Sequence, residues 1–149
     1  MSDDLNALMQ SKYKMKTFTH TPIPADQVLP EVYTETINRQ RFYVTPEGNK
    51  YPSITTVLSG RAKEGINAWR NKVGEVQANK IMRAAASRGT AVHELAENYL
   101  NNDELKNQEV LPLFMFTQLK PELDNINNVV TQEAGLYSDK WGIAGRVDC

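Results

Sequence analysis

An α+β domain, mixed in its helix and strand content, is the fold class this sequence predicts, on three observations. Aromatic and β-branched residues flank a turn at residues 46–49 that holds Pro46 and Gly48. Apolar residues then recur at spacings of three and four from residue 63 to residue 101. Two short apolar runs follow residue 129, with a polar turn at residues 138–140 between them. A hairpin, then helices, then a late hairpin indicate a mixed α/β or α+β domain.

Residues 1–40 read as an arm or loop preceding a domain at 41–149. Lys12, Lys14 and Lys16 alternate there with Tyr13, Met15 and Phe18, and Pro22, Pro24 and Pro30 interrupt any regular element. Alternating lysines suit phosphate contacts, although a solvated basic strand is the commoner outcome. Residues 41–45 and 50–51 pair across the 46–49 turn. Ser53 caps a short helix that Ser59 and Gly60 end.

Within 63–101, Ile66, Trp69, Val73 and Val76 form one helical stripe. Ile81, Ala85, Val92, Leu95, Ala96 and Tyr99 form another, and Gly74 and Gly89 divide the run into two or three helices. A further helix is expected over 109–128 despite Pro112 and Pro121. Strands at 129–137 and 141–149 then pair antiparallel.

Composition narrows the function classes. The 149 residues suit one domain with one core. A net charge of −1 gives no global attraction to nucleic acid, so any such binding must come from a local cluster. A single cysteine excludes an internal disulfide and a cysteine-based zinc site. No apolar run is long enough to span a membrane, and residues 1–10 do not resemble a signal peptide, so a soluble, cytoplasmic protein is expected.

Three places carry the candidate chemistry. Strand alternation sets Ala144, Arg146 and Asp148 on one face, and Ile143, Gly145 and Val147 on the other. A carboxylate there is costly to bury without a cation, and a divalent metal would supply one. By itself, such an aspartate is more often an exposed strand-end residue. His93 is expected near a helix start capped by Thr90, where backbone N–H groups favour anions. Glu97, four residues on, shares its face and can orient the imidazole, although such pairs are common on solvated helices. Lys80, Arg83 and Arg88 fall roughly along one helical side and suit contacts with a DNA backbone. A zinc helix of the H-E-x-x-H kind is excluded, since position 97 is Glu and the only other histidine is His20. No glycine-rich phosphate loop is present.

The order of these pieces resembles the PD-(D/E)XK nuclease superfamily, in the RecB-type exonuclease branch that includes the mitochondrial genome maintenance exonuclease and related phage exonucleases. The similarity covers about 41–149. The branch's PS(I/V)TTVL segment is matched by Pro52 to Leu58, and its tryptophan-bearing helix by Trp69. Its GTxxHxxxExxL motif is matched by Gly89, Thr90, His93, Glu97 and Leu100. Glu133, Gly145 and Asp148 match a strand glutamate followed by GxxD.

The resemblance implies a restriction-endonuclease-like core and metal-dependent hydrolysis of DNA, at single-stranded ends, in phage or bacterial replication, recombination or repair. It implies that His93 and Asp148 bind Mg²⁺ or Mn²⁺, that Glu133 joins the catalytic set, and that Thr90 and Glu97 support it. The family continues with a strand bearing an acidic residue, a variable residue and a lysine, which does not follow Asp148 here. The expectation is therefore a fragment of a longer protein, inactive by itself. The alternative is a non-catalytic DNA-binding or assembly module on the same scaffold. A weaker third reading is a helical structural protein.

Overall fold

The computed structural model describes residues 15–106 and 109–149, so Lys12, Tyr13 and Lys14 of the expected basic arm lie outside the described residues. In chain order the elements are β1 (Thr19–His20), a 3₁₀ turn (Ala25–Gln27), β2 (Tyr33–Ile37), β3 (Gln40–Val44), β4 (Lys50–Pro52), α1 (Ile54–Val73), α2 (Glu75–Leu100), α3 (Val110–Leu123), β5 (Asn128–Val129), β6 (Ala134–Ser138) and β7 (Ile143–Val147). The content is mixed α and β, as predicted. The chain divides into two compact units: Met1–Thr21 with Asn79–Val129, and Pro22–Ala78 with Val130–Cys149. Among the described residues, no helix is long and apolar enough to cross a membrane.

The first unit is built on an aromatic core. Phe18, Leu95, Tyr99, Leu100, Leu113, Phe116 and Val129 are buried together. The Tyr99 ring meets Phe18 and Phe116 edge-on, with centroids 5.0 and 5.5 Å apart, the geometry that aromatic quadrupoles favour. Strands β1 and β5 pair in parallel, Thr19 opposite Asn128. The buried phenol needs partners, and it donates to Asp124 Oδ1 at 2.5 Å while accepting from the Lys16 N–H at 3.1 Å. Lys120 is buried beside it, with Nζ 2.8 Å from Asp124 Oδ2. Burial would lower the Lys120 pKa, but hydrogen bonds to Asp124 and Tyr99 outweigh it and hold the value above the ordinary one. Burial would likewise raise Asp124, but the hydrogen bonds from Lys120 and Tyr99 prevail and hold it low. Pro112 falls in the first turn of α3, where its missing N–H costs nothing. The helix ends at Leu123, short of the expected residue 128, because Asn125 and Ile126 bond back to Glu122 and Leu123 in turns.

The second unit holds an antiparallel sheet of order β2-β3-β4 and the β6–β7 hairpin. The expected pairing across residues 46–49 is present, with Gly48 at φ +84 and the Thr45 N–H donating to the Asn49 carbonyl at 2.9 Å. Strand β2 was not predicted. Its turn into β3 is Asn38-Arg39, at φ +50 and +65, and lacks the glycine that normally marks such a hairpin. Two phenols tie the hairpins together: Tyr51 donates to Asp139 at 2.6 Å and Tyr137 to Glu47 at 3.3 Å. The bond to the Asp139 carboxylate is the main cause that raises the Tyr51 pKa. Gly135 is required on β6, because a Cβ there would lie 2.0 Å from Val32 Cγ2.

Ser53 caps α1 as expected, its Oγ accepting from the Thr56 N–H at 3.0 Å. The helix does not stop at Ser59 and Gly60, however, and runs to Val73. The Ser59 hydroxyl is satisfied inside the helix by the Thr56 carbonyl, and a mid-helix glycine costs only about 1 kcal/mol against alanine. Gly74, at φ +85, is the stop, its N–H returning to the Arg70 carbonyl. The second predicted break also fails: α2 continues through Gly89 and Thr90. Ile66, Val76 and Ile81 of the predicted stripes are exposed, whereas Leu95 and Tyr99 are buried.

Candidate metal centre

The β6–β7 hairpin brings two of the expected acidic residues together. Ala134 pairs with Val147 at the end of the ladder, and the Glu133 N–H donates to the Asp148 carbonyl at 3.3 Å, which carries the pairing one residue further. Residues directly opposite on antiparallel strands project to the same side. Carboxylate oxygens of Glu133 and Asp148 accordingly come within 4.8 Å of each other. Like charges placed opposite one another repel, so such a pair calls for a compensating cation.

Arg146 supplies part of that compensation, with Nη1 3.6 Å from Glu133 Oε2. Strand alternation put Arg146 on the face of Asp148, but assigning it to Glu133 needed the cross-strand register. Glu133 is half-buried, its Oε1 screened from solvent, and Asp148 is exposed. Glu133 also holds φ +53, a left-handed conformation that costs an ordinary residue about 1–2 kcal/mol. The distortion falls where the chain turns into β6 and sets the direction of the carboxylate.

His93 lies in the first unit, exposed on α2. Its expected place near a helix N-terminus is overturned. Thr90 caps nothing: its hydroxyl donates to the Ala86 carbonyl at 3.1 Å, four residues back within the helix. The backbone N–H groups at His93 are thus engaged in the helix ladder, and the anion-binding rationale drawn from a helix start does not apply. Glu97 follows one turn later on the same face and is half-buried. The buried Leu95 and Tyr99 keep the opposite side of the helix in the core.

The expected phosphate-contacting residues also lie on α2, Lys80 and Arg83 exposed and Arg88 half-buried. With α2 continuous, a rotation of about 100° per residue puts Lys80 and Arg88 each about 140° around the helix from His93, and Arg83 about 80° away. Lys80 and Arg88 therefore cannot address the face that His93 presents. No protein-family model, curated protein or solved structure matches the chain.

Proposed function

We propose that this chain supplies a divalent-cation site of a PD-(D/E)XK-type deoxyribonuclease in the RecB-like exonuclease branch. Its ligands are His93 and Asp148, with Glu133 as third member and Glu97 orienting the imidazole. The substrate is DNA, entered at single-stranded ends, in replication, recombination or repair. The observation that carries this reading is the pairing of Glu133 and Asp148 at the hairpin end, at the two acidic positions of the matched motifs.

Two carboxylates and an imidazole form a donor set of oxygen and nitrogen that suits Mn²⁺ and, less well, Mg²⁺. When bound, the ion makes a water nucleophilic near neutral pH and stabilises charge on the scissile phosphate. Asp148 and Glu133 each supply a carboxylate, that of Glu133 screened from solvent on one oxygen. Arg146 pairs with Glu133 and offsets part of the repulsion between the two carboxylates. Metal binding by these residues is the property that tests the reading most directly.

Titration with Mn²⁺ followed by electron paramagnetic resonance tests the site. Asp148→Asn and His93→Ala are each expected to weaken binding by at least tenfold, with circular dichroism unchanged. Equal Mn²⁺ affinity in both variants and the parent would refute the assignment.

A further inference from the structure

The β2–β3 turn and the start of α1 enclose a cleft of about 650 Å³ in the second unit. That volume falls in the ~300–1,000 Å³ range of ligand clefts. Arg39, Arg41 and Lys63 line it, with Ser53, Thr55 and Thr56, and among the described residues no acidic residue lines it. The chain as a whole carries a net charge of −1, so three cations without an acid is a local departure from its composition. The ion pairs among the described residues engage Lys50, Arg70, Lys120 and Arg146, and none of the three cleft cations.

The hydroxyls are held in place: Ser53 Oγ lies 2.9 Å from Thr55 Oγ1 and 2.7 Å from Thr56 Oγ1. Arg39 occupies φ +65 at the turn, where glycine is the ordinary choice, and its guanidinium lines the cleft. Guanidinium, ammonium and hydroxyl groups together are the donor set that proteins turn towards phosphate oxygens. The positive end of the 20-residue α1 adds to the same potential.

We propose that this cleft binds the phosphodiester backbone of single-stranded DNA. The inference rests on the nucleic-acid reading above but not on its metal. It moves the main backbone contact from Lys80, Arg83 and Arg88 on α2 to the β2–β3 turn and α1.

Fluorescence anisotropy of a labelled oligothymidylate, with the full chain in EDTA over a range of salt, tests it. The triple variant Arg39→Gln, Arg41→Gln, Lys63→Gln is expected to bind at least tenfold more weakly. Each phosphate contact on a single strand contributes roughly 0.7 to the salt slope, so losing three lowers that slope by about 2. The charge-preserving variant Arg39→Lys, Arg41→Lys is expected to keep the slope, which separates lost charge from lost fold. Unchanged affinity and slope in the triple variant overturn the cleft and leave the metal reading intact. A parent chain that binds no oligonucleotide overturns the cleft and the DNA reading together. Inorganic phosphate is expected to compete only weakly; if it displaces the oligonucleotide at equal phosphate concentration, the cleft is a small-anion site and the proposal fails.

Discussion

The first unit buries large aromatic side chains around Tyr99, whereas the second is tied by hairpin registers, phenol–carboxylate bonds and a helix cap. Both units also leave apolar side chains exposed, Val110, Leu111 and Phe114 in the first and Val57, Leu58 and Trp141 in the second. An apolar recess of about 370 Å³, lined by Ile54 and by residues of β6 and β7, lies open on the hairpin. Apolar burial is the main source of stability, so the aromatic cluster is expected to be the largest single contribution in the first unit. The contrast matters for function, since both candidate carboxylates and all three cleft cations belong to the second unit.

The contrast is sharpest in the aromatic core. Phe116→Ala is expected to cost about 3–5 kcal/mol, and amide exchange should show the loss across α2 and α3 and much less in β2–β4. A uniform loss over both units would instead mean that they unfold as one.

A smaller effect is expected in the second unit. Gly135→Ala forces a methyl into the space of Val32 and should cost about 1–3 kcal/mol. Urea unfolding of Gly135→Ala with Val32→Ala should recover most of that loss, as a double-mutant cycle for a direct clash requires. Absence of recovery would place the demand for glycine in the backbone rather than in the contact.

The smallest effect concerns charge in the first unit. Asp124→Asn removes the carboxylate that Lys120 and Tyr99 share, and with a side chain 35% exposed its cost should be about 1–2 kcal/mol. The folded Asp124 pKa lies below its unfolded value. Its contribution is therefore present above that unfolded value, near 3.9, and is lost as pH falls through the folded one. Lys120 has the opposite sign: its raised value keeps its contribution below the unfolded pKa, near 10.4, and loses it as pH rises through the folded value. Urea midpoints measured from neutral to acid pH should fall more steeply for the parent chain than for Asp124→Asn. Parallel curves would remove Asp124 from the stabilising network.

Local chemistry made much of this fold legible. Gly48, Ser53 and Gly74 announced a turn, a cap and a helix stop, because each acts through its own backbone or its nearest neighbours. The late hairpin followed from period-two alternation and a polar turn. Thr90 and Gly89 misled for the complementary reason. A threonine hydroxyl serves as a cap or bonds the carbonyl four residues back, and only the continuing helix decides which. Strand β2 escaped because its turn uses Asn38 and Arg39 in conformations that glycine usually marks.

By itself the sequence determined the mixed architecture, and its resemblance to the nuclease superfamily named His93, Glu133 and Asp148 as candidates. Period and turn chemistry suffice for the architecture. Tertiary structure alone decided that Glu133 lies opposite Asp148, that Arg146 answers it, and that Arg39 and Arg41 share a cleft with Lys63. Those relations depend on strand register and on where a turn returns the chain. A shift of one residue would reverse every side chain on the strand, and no periodicity within a single segment specifies its partner.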